Sequence, residues 1–506
     1  MVDISGKIDQ IIRLVEDGEY FAINRPRQFG KTTMLSLLNK QLNLKDDYQT
    51  FSISFEGIGD APFTTEQNFC KAFLRLIARS VRFTVHEIAD YFEQASQEVH
   101  DFEELSIFIS QYVFRLKKHL VLLIDEIDKS SDNQIFLHFL GMLRSKYLLR
   151  GTGQDYTFQS VILAGVHDIK TLKTQIRSDD EKKYNSPWNI AIDFEVDLSF
   201  NPGEIETMLQ DYSQDKNFRF DTRPIAERLY YYTSGYPYLV SKLCKFIDER
   251  IIIQRKDNEW SVNDVEIAFK MIVNEAYTTT LFDNLTKNLE NNRKLYDNVF
   301  NIVINGKRVP FNITVPVINK GYLYGIFAPS SEGCKIHNRI YEQRIYSYMI
   351  TKLLTSNPEP IFSLQPDYYT DDALNIEVIL LRFQNFMKEH YASHDAKFLE
   401  REGRLLFLSY LRPIINGKGF DFKEPNVSEE RRMDIVITFL DKRYVIELKI
   451  WHGLKYHQEG LKQLSRYLDT YSLEVGYLLI YNFNKNKEYK QERIKFENKQ
   501  IFAVWV

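Results

Sequence analysis

Short apolar runs alternate with amphipathic segments over residues 1–200. Four continuous apolar runs predict strands that are covered on both faces, at residues 20–23, 51–55, 119–125 and 159–165. The segments between them place apolar residues at helical spacing, as in TTMLSLLNKQL after the first run. Strands that alternate with helices predict an α/β domain with a mostly parallel sheet.

The pattern becomes helical over residues 201–255, which predicts a helical lid whose first helix has Asn201 or Ser199 as its N-cap. Residues 256–350 mix helical patterns with two short predicted strands, GYLYGIF and CKIHN, on either side of PSSEG. That order is typical of the wing of a winged-helix fold. We interpret the region as a winged helix or a connector.

A break in periodicity follows at residues 351–375, where three prolines stand among polar residues, and predicts a linker. Residues 376–506 predict a second α/β domain. Its helices are expected at residues 376–391, 396–411 and 455–471. Its strands are expected at DIVITFL, YVIELKI, VGYLLIY and IFAVWV.

Composition narrows this picture only slightly. A chain of 506 residues is too long for one ordinary core, so several domains are expected. The three cysteines form no CxxC pair, which excludes a local zinc motif and a disulfide framework and favours a reducing cytosol. Because there is no apolar leader and no run of about 18 apolar residues, we predict a cytoplasmic chain without membrane contact. A net charge of −4 makes no global case for nucleic acid.

Candidate chemistry first appears in NRPRQFGKTT, which matches the GKT half of a P-loop. Gly30 lets backbone N–H groups curl around phosphate, and a helix starting at Lys31 points its positive end at the same place. Lys31 can bridge the β- and γ-phosphates of ATP, and Thr32 can offer a hydroxyl to Mg²⁺. The predicted nucleotide-binding residues are Arg25, Pro26, Arg27, Gln28, Phe29, Gly30, Lys31, Thr32 and Thr33.

The run LVLLIDE is a predicted buried strand that ends in two carboxylates, as in a Walker B motif. Asp125 would hold Mg²⁺ through water, and Glu126 would orient the attacking water. The alternative is a strand that ends in a solvated acidic turn. The order of strand, loop, GKT, helix and acidic pair favours the nucleotide site.

Weaker candidates surround this site. His167 and Asp168 follow the fourth predicted strand and could be polar sensors or a surface loop. The turn at residues 235–237, Gly-Tyr-Pro, could contact adenine or simply start a helix. The candidate arginine fingers are Arg144, Arg150 and Arg177.

The string YFAINRPRQFGKTTMLSLL, preceded by VDISGKIDQIIRLVEDG, resembles the AAA-ATPase-like family of bacterial proteins, whose P-loop typically reads RPRRFGKS. The segment SPWNIAIDFEVD is similar to that family's SPFNIA-type signature. The resemblance implies an AAA-like P-loop NTPase fold in which Arg25 normally stands in place of the first glycine. Gln28 and Thr32 replace the more usual Arg and Ser.

The C-terminal region carries a second candidate site. On a strand, Glu447 and Lys449 project to the same face, and Asp434 begins the neighbouring hairpin strand. Two carboxylates and the carbonyl of Leu448 would make a hard-oxygen site for Mg²⁺ or Mn²⁺, with Lys449 beside the activated water. The alternative is an exposed face with a weak cross-strand ion pair.

This order resembles the PD-(D/E)XK nuclease superfamily, in which a helix Glu, an Asp, a Glu-x-Lys and a Gln-x-x-x-Tyr helix recur. Carried over by position, Asp434 and Glu447 are metal ligands and Lys449 is the catalytic lysine. The helix glutamate is Glu400, with Glu402 as the alternative. Gln463 and Tyr467 complete the pattern, and residues 429–432 could touch a phosphate backbone or simply be solvated. The resemblance implies a restriction-endonuclease-like α/β fold.

The sequence therefore favours an ATPase joined to a metal-dependent nuclease, with cleavage of DNA or RNA gated by ATP. The family context suggests a role in defence or in mobile elements. One alternative is a nucleotide-dependent switch whose nuclease-like domain is only a docking module. Another is an ATPase that signals by forming a homo-oligomer.

Overall fold

The fold is known from a computed structural model, which describes residues 2–129, 133–166, 188–218, 220–255, 259–274, 279–303, 308–331, 333–356, 368–370, 373–391, 403–404, 406–408, 410–411, 434–439, 442–451, 453–484 and 487–506. The chain divides into two compact units. The first comprises Met1–Asn288, Asn312–Ala328 and His337–Tyr341; the second comprises Leu289–Phe311, Pro329–Ile336 and Glu342–Val506.

A four-stranded parallel sheet forms the centre of the first unit, in the order β1-β4-β3-β2. Its strands are β1 (Phe21–Asn24), β2 (Tyr48–Ser54), β3 (His119–Asp125) and β4 (Ser160–Gly165). The apolar runs of β3 and β4 are buried almost throughout, which confirms the prediction of strands covered on both faces. Because β4 pairs with both β1 and β3, the chain after β1 and the chain after β3 emerge at the same edge on either side of β4.

Helices before and between these strands cover the sheet with their apolar faces. They are α1 (Ser5–Glu16), α2 (Lys31–Leu42), α3 (Glu66–Val81), α4 (His86–Glu98), α5 (Phe102–Leu116) and α6 (Gln134–Gly151). Short 3₁₀ turns lie at Ala61–Phe63 and Ile127–Lys129. Much of the core between α3, α6 and the sheet is aromatic, which explains part of the high phenylalanine content as packing.

The predicted lid consists of three helices, α7 (Pro202–Lys216), α8 (Thr222–Thr233) and α9 (Pro237–Phe246), followed by a π turn at Ile247–Ile251 and a 3₁₀ turn at Ile252–Gln254. Asn201 caps α7 in a full capping box with Glu204. Of the two N-cap candidates, Asn201 is therefore correct. Ser199 instead accepts a hydrogen bond at its carbonyl oxygen from Nζ of Lys7.

Downstream of the lid lie α10 (Val262–Asn274), α11 (Thr280–Glu290), α12 (Arg293–Val303), α13 (Pro316–Leu323) and α14 (Arg339–Ser356), with β5 (Phe327–Ser330) and β6 (Gly333–Ile336) as a two-stranded sheet. The prediction of a strand over GYLYGIF is wrong for most of its length. Pro316 at the first helical position starts α13, which continues to Leu323. The strand begins only at Phe327, whose ring lies against Gly321.

The second unit contains a mixed five-stranded sheet in the order β12-β13-β11-β10-β9. The strands are β9 (Asp434–Phe439), β10 (Lys442–Ile450), β11 (Val475–Tyr481), β12 (Gln491–Phe496) and β13 (Lys499–Trp505). β13, β11 and β10 run parallel, while β9 and β12 are antiparallel edges. Strands were expected at the positions of β9, β10, β11 and β13. The sequence reading missed β12, because this exposed edge, QERIKF, offers almost no buried side to produce an apolar alternation.

Other elements of the second unit are the short strands β7 (Tyr369–Thr370) and β8 (Ala373–Leu374) and the helices α15 (Ile376–Tyr391) and α16 (Leu454–Thr470). Both helices lie within about one residue of their predicted bounds. One face of the sheet packs on α16 through apolar side chains that include Leu464, Leu468 and Ile480. In the part of the chain that the structure describes, no helix combines the length and apolar character needed to cross a membrane.

Candidate functional site

The loop that joins β1 to α2, residues 25–30, has an unusual backbone. Gln28 (φ +58°) and Gly30 (φ +81°) both adopt the left-handed conformation, and Gly30 is the N-cap of α2. No side chain of the described residues caps this end of the helix, so its first N–H groups can serve a ligand. Such N–H groups, at the positive end of a helix dipole, form an anion site.

Lys31, the first residue of α2, turns its ammonium back into this loop. Its Nζ donates to the carbonyl oxygens of Arg25 and Pro26, each at 2.9 Å. The residue is 6% exposed, and burial lowers the pKa of its ammonium, while the nearby carboxylates, Asp128 foremost, oppose that decrease. The loop therefore holds a cation on neutral acceptors, which phosphate oxygens can replace with stronger, charge-assisted bonds.

The two predicted Mg²⁺ ligands of the first unit meet directly. Oγ1 of Thr32, at the start of α2, donates to Oδ2 of Asp125, at the end of β3, over 2.6 Å. Hydroxyl and carboxylate oxygens are the ligands that Mg²⁺ prefers, so these two residues fit that ion. Thr33 and the side chains of Arg27 and Gln28 are exposed around the same loop.

Glu126 follows Asp125 in a left-handed conformation, φ +54°, which is uncommon for a residue with a side chain. Oδ1 of Asp125 accepts a hydrogen bond from the backbone N–H of Glu126 at 2.9 Å, and this contact supports the turn. Burial raises the pKa of the Glu126 carboxyl, while Lys31 acts in the opposite direction. A carboxylate with a raised pKa beside the phosphate loop suits a residue that orients or deprotonates water.

Asp128 is a site residue that the sequence reading did not single out. Both of its carboxylate oxygens accept from the backbone N–H of Val166, at 2.8 and 2.9 Å, which ties the turn after β3 to the end of β4. Its charge acts on both Lys31 and Glu126. The sequence feature that could have identified Asp128 is its position three residues after Asp125, in DEID.

Arg25, which stands where many P-loops have a first glycine, points away from the loop centre. Its guanidinium donates to the carbonyl of Val196 at 3.0 Å and lies 5.5 Å from the ring centroid of Phe194. The segment that carries these residues also bridges β1, since Ile192 pairs with Phe21. Residues 192–196 and Arg25 therefore pack together beside β1, in contacts that hold the loop in place rather than cover its centre.

The Gly-Tyr-Pro turn at residues 235–237 lies against the same loop. The hydroxyl of Tyr236 donates to the carbonyl of Arg27 over 2.5 Å, and its ring meets buried Phe29 edge-on at 4.8 Å. A Cβ placed on Gly30 would lie 3.9 Å from Cγ of Pro237. This turn starts α9, and a nucleotide bound at the loop would lie near it.

Among the arginine-finger candidates, Arg150 is held by its own fold: its guanidinium donates to three backbone carbonyls, those of Gly18, Phe158 and Gln159. Arg144 is half-buried on α6. Arg177 and the two sensor candidates, His167 and Asp168, lie outside the described residues.

The second candidate site lies on the β9–β10 hairpin. Asp434 and Glu447 are register partners, directly opposite each other on adjacent antiparallel strands. Glu447 is fully buried, and Oε1 of its carboxylate forms an ion pair with Nζ of Lys449 at 2.7 Å. Leu448, whose carbonyl is the third predicted ligand, lies between Glu447 and Lys449 in sequence. Its side chain is buried and faces the other side of the sheet. A buried carboxylate opposite an aspartate position fits a divalent cation better than the exposed ion pair of the alternative reading.

Lys449 also reaches the helix that packs on this sheet. Its Nζ donates to Oε1 of Gln463 at 2.9 Å, and Nε2 of Gln463 lies 3.4 Å from the hydroxyl of Tyr467. The Gln-x-x-x-Tyr pair of α16 is thus joined to the Glu-x-Lys strand by a continuous chain of polar contacts. Glu400 and its alternative Glu402, the candidates for the helix glutamate, lie outside the described residues, as do residues 429–432, the possible phosphate contact.

Comparison with known families agrees with both motifs. A family model described as "AAA-like domain" matches residues 6–343, and the model of the PD-(D/E)XK nuclease superfamily matches residues 419–494. Both resemblances drawn from the sequence are confirmed, together with the α/β fold class. No curated protein matches the chain.

Solved structures resemble the chain over about two thirds of its length. A Walker-type ATPase of Pyrococcus abyssi is 12% identical, covers 68% of this chain and 96% of its own, and has a TM-score of 0.47. The Thermotoga maritima RuvB Holliday junction branch migration motor is 13% identical, with coverages of 67% and 94% and a TM-score of 0.33. The Aeropyrum pernix ORC2 protein is 11% identical, with coverages of 68% and 93% and a TM-score of 0.35. Likeness at this level does not bear on what this chain binds.

Proposed function

Since the chain belongs to the AAA-like domain family, we propose that it binds and hydrolyses ATP at the loop of residues 25–30. We propose further that its PD-(D/E)XK nuclease-superfamily domain cleaves nucleic acid, and that ATP controls this cleavage. The single contact that best supports the first part is the Thr32–Asp125 hydrogen bond, which brings the end of β3 to the start of α2.

In the proposed reaction, the N–H groups at the start of α2 and the ammonium of Lys31 bind the β- and γ-phosphates. Thr32 and, through water, Asp125 hold Mg²⁺, which when bound offsets charge on the phosphates. Glu126 orients the attacking water, and its raised pKa makes it a better proton acceptor than an ordinary glutamate. Asp128 keeps the end of β4 beside this group.

The proposed nuclease site uses Asp434 and Glu447 as ligands of Mg²⁺ or Mn²⁺, with the Leu448 carbonyl as a third oxygen. The ion, when bound, would activate water for attack on a phosphodiester. Lys449 is positioned by Gln463, and Tyr467 supports that glutamine. With its Nζ 2.7 Å from Oε1 of Glu447, the ammonium of Lys449 would stand beside negative charge that develops on a phosphate bound at this site.

Labelled DNA and RNA incubated with the full-length protein and Mg²⁺ or Mn²⁺, with and without ATP, test the proposal. We expect metal-dependent cleavage that changes when ATP is added. Asp434→Ala and Lys449→Ala should abolish cleavage and leave ATP hydrolysis intact. Lys495→Ala, at an exposed lysine of the same sheet, should leave both cleavage and ATP hydrolysis intact.

The possible outcomes separate the candidate functions. Undiminished cleavage by Asp434→Ala would refute the site assignment. ATP hydrolysis without cleavage of either nucleic acid, in every metal, would favour a nucleotide-dependent switch whose nuclease-like domain serves for docking. A mass that increases with a non-hydrolysable ATP analogue, again without cleavage, would favour signalling by self-association.

A further inference from the structure

A glycine from far downstream packs tightly on the P-loop. Gly325, which ends α13 with φ +69°, approaches Pro26 so closely that a Cβ at position 325 would lie 2.6 Å from Cγ of the proline. A proline ring cannot move aside as a flexible side chain can, so this position admits only glycine. Both residues belong to the first unit.

Two aromatic contacts extend this approach. The ring of His337 meets Phe29 edge-on at 6.0 Å and Tyr236 at 5.6 Å. The backbone N–H of His337 donates to the carbonyl of Ile326 at 2.8 Å, which ties it to the chain just after Gly325. Residues 321–326 together with His337–Tyr341 thus form one surface against the P-loop, which we call the cover.

Tyr324 brings the cover close to the acidic end of the nucleotide site. It is half-buried, and the charge of Asp128 adds to burial in raising the pKa of its hydroxyl. Asp128 also acts on Lys31 and Glu126. The cover therefore lies near both the loop that would bind phosphate and the carboxylates that would assist hydrolysis.

Pro26 links the cover to the lysine. The ring of Pro26 contacts Gly325, and its carbonyl oxygen accepts one of the two loop hydrogen bonds of Lys31. When a phosphate accepts the hydrogen bonds of the Lys31 ammonium, the carbonyl oxygens of Arg25 and Pro26 lose their donor. The peptide between these two residues is then less restrained. The surface on which Gly325 rests then changes with the occupancy of the loop.

From these contacts we infer that the cover senses nucleotide: it packs on the P-loop while Lys31 bonds to the loop's own carbonyls, and it loosens when nucleotide phosphate binds that lysine. This inference rests on the proposed ATP site. Because the cover favours the arrangement in which Lys31 is engaged, it opposes nucleotide binding. Linkage requires that weakening the cover strengthens binding by the same factor.

Chain connectivity gives this sensor an output. The cover lies in Asn312–Ala328 and His337–Tyr341, and both stretches are flanked on each side by chain of the second unit. Strand β6, Gly333–Ile336, belongs to the second unit and connects the two parts of the cover. Because β6 is followed directly by His337, whose N–H donates to the carbonyl of Ile326, we expect a loosened cover to make β6 more mobile.

Two matched glycine variants test the inference. Gly325→Ala places a methyl group against Pro26, whereas Gly153→Ala has the same kind of backbone (φ +72°) with no atom within 4 Å of the new Cβ. Both should lower the melting temperature, and Gly325→Ala should lower it more because its methyl group also meets Pro26. Binding of a fluorescent ATP analogue should tighten about fivefold or more in Gly325→Ala and stay unchanged in Gly153→Ala. Tyr236→Phe, which removes the hydroxyl that holds Arg27, should tighten binding less, in the same direction.

A second measurement follows β6 by amide hydrogen exchange. In the unsubstituted protein and in Gly153→Ala, exchange should accelerate when nucleotide is added; in Gly325→Ala it should be fast already. Equal or weaker affinity in Gly325→Ala and in Tyr236→Phe, compared with Gly153→Ala, would overturn the inference. So would exchange at β6 that nucleotide does not alter. Failure of the unsubstituted protein to bind the analogue would instead overturn the proposed ATP site, and the inference with it.

Discussion

The two candidate sites both contain a largely buried lysine, but the partners of these lysines differ. Lys31 donates to two neutral carbonyl oxygens of its own loop. Lys449 forms an ion pair with the fully buried carboxylate of Glu447. A phosphate can take Lys31 from carbonyls by offering charged oxygens, whereas Glu447 already has a cationic partner in Lys449. The contacts of the first lysine thus suit an anion, whereas in the second site the buried carboxylate of Glu447 is balanced by Lys449.

The largest effect expected from this difference concerns nucleotide. Lys31→Ala should reduce ATP hydrolysis by about 100-fold or more, because the ammonium that lies within the loop is lost where charge on the phosphates must be offset. Phosphate release and binding of a fluorescent ATP analogue measure this. Lys40→Ala, an exposed lysine of the same helix, is the control. Equal hydrolysis rates in Lys31→Ala and Lys40→Ala would show that Lys31 does not act on the phosphates.

The next largest effect is on the free energy of unfolding, which should respond differently to loss of Lys449 and of Lys31. Lys449→Met should lower the free energy of unfolding by about 3 kcal/mol, the lower end for a broken buried pair, because it leaves Glu447 charged and buried without its partner. Adding Glu447→Gln to that variant should restore most of the loss. Lys31→Met, whose partners are uncharged, should cost only about 1 kcal/mol.

Denaturant unfolding, monitored in metal-free buffer, gives all three values. If Lys31→Met and Lys449→Met were equally destabilised, the two lysines would not differ in the way their contacts indicate. A double variant no more stable than Lys449→Met would contradict the ion pair itself.

The smallest effect concerns pH and sharpens the description of the first site. Because burial raises the pKa of Glu126, its carboxylate is lost at a higher pH than that of an ordinary glutamate, about 4.3. ATP hydrolysis should therefore decline as pH falls, with a midpoint above that value. Binding of the ATP analogue, measured over the same range, controls for unfolding. A hydrolysis rate that stays constant down to pH about 4.3 would show that Glu126 is not the group that acts on water.

Sequence patterns predicted the local parts of both sites well, because each part depends on residues close together in the chain. The apolar runs predicted four strands of the first sheet, and GKT predicted where α2 begins. On the hairpin, alternation predicted that Glu447 and Lys449 share a face, and their ion pair agrees. The helix spacing of Gln463 and Tyr467 likewise predicted one shared surface.

Misreadings occurred where the apolar pattern alone did not decide the structure. GYLYGIF has the apolar content of a strand, but Pro316 starts a helix through its first half. β12 is an exposed edge that is stabilised by pairing with β13 and needs no apolar face. Asp128 became visible as a site residue only through its bonds to the end of β4, a strand that follows much later in the chain.

By itself, the sequence determined which residues could bind phosphate or a metal ion, since glycine, lysine and carboxylates at those spacings carry their chemistry with them. Only the tertiary structure decided which distant residues meet them: Asp125 with Thr32, Gly325 with Pro26, and Gln463 with Lys449. The physical reason is that strand order and helix packing arise from the burial of apolar surface summed over a whole unit. That total depends on residues throughout the unit, so no local stretch of sequence predicts it.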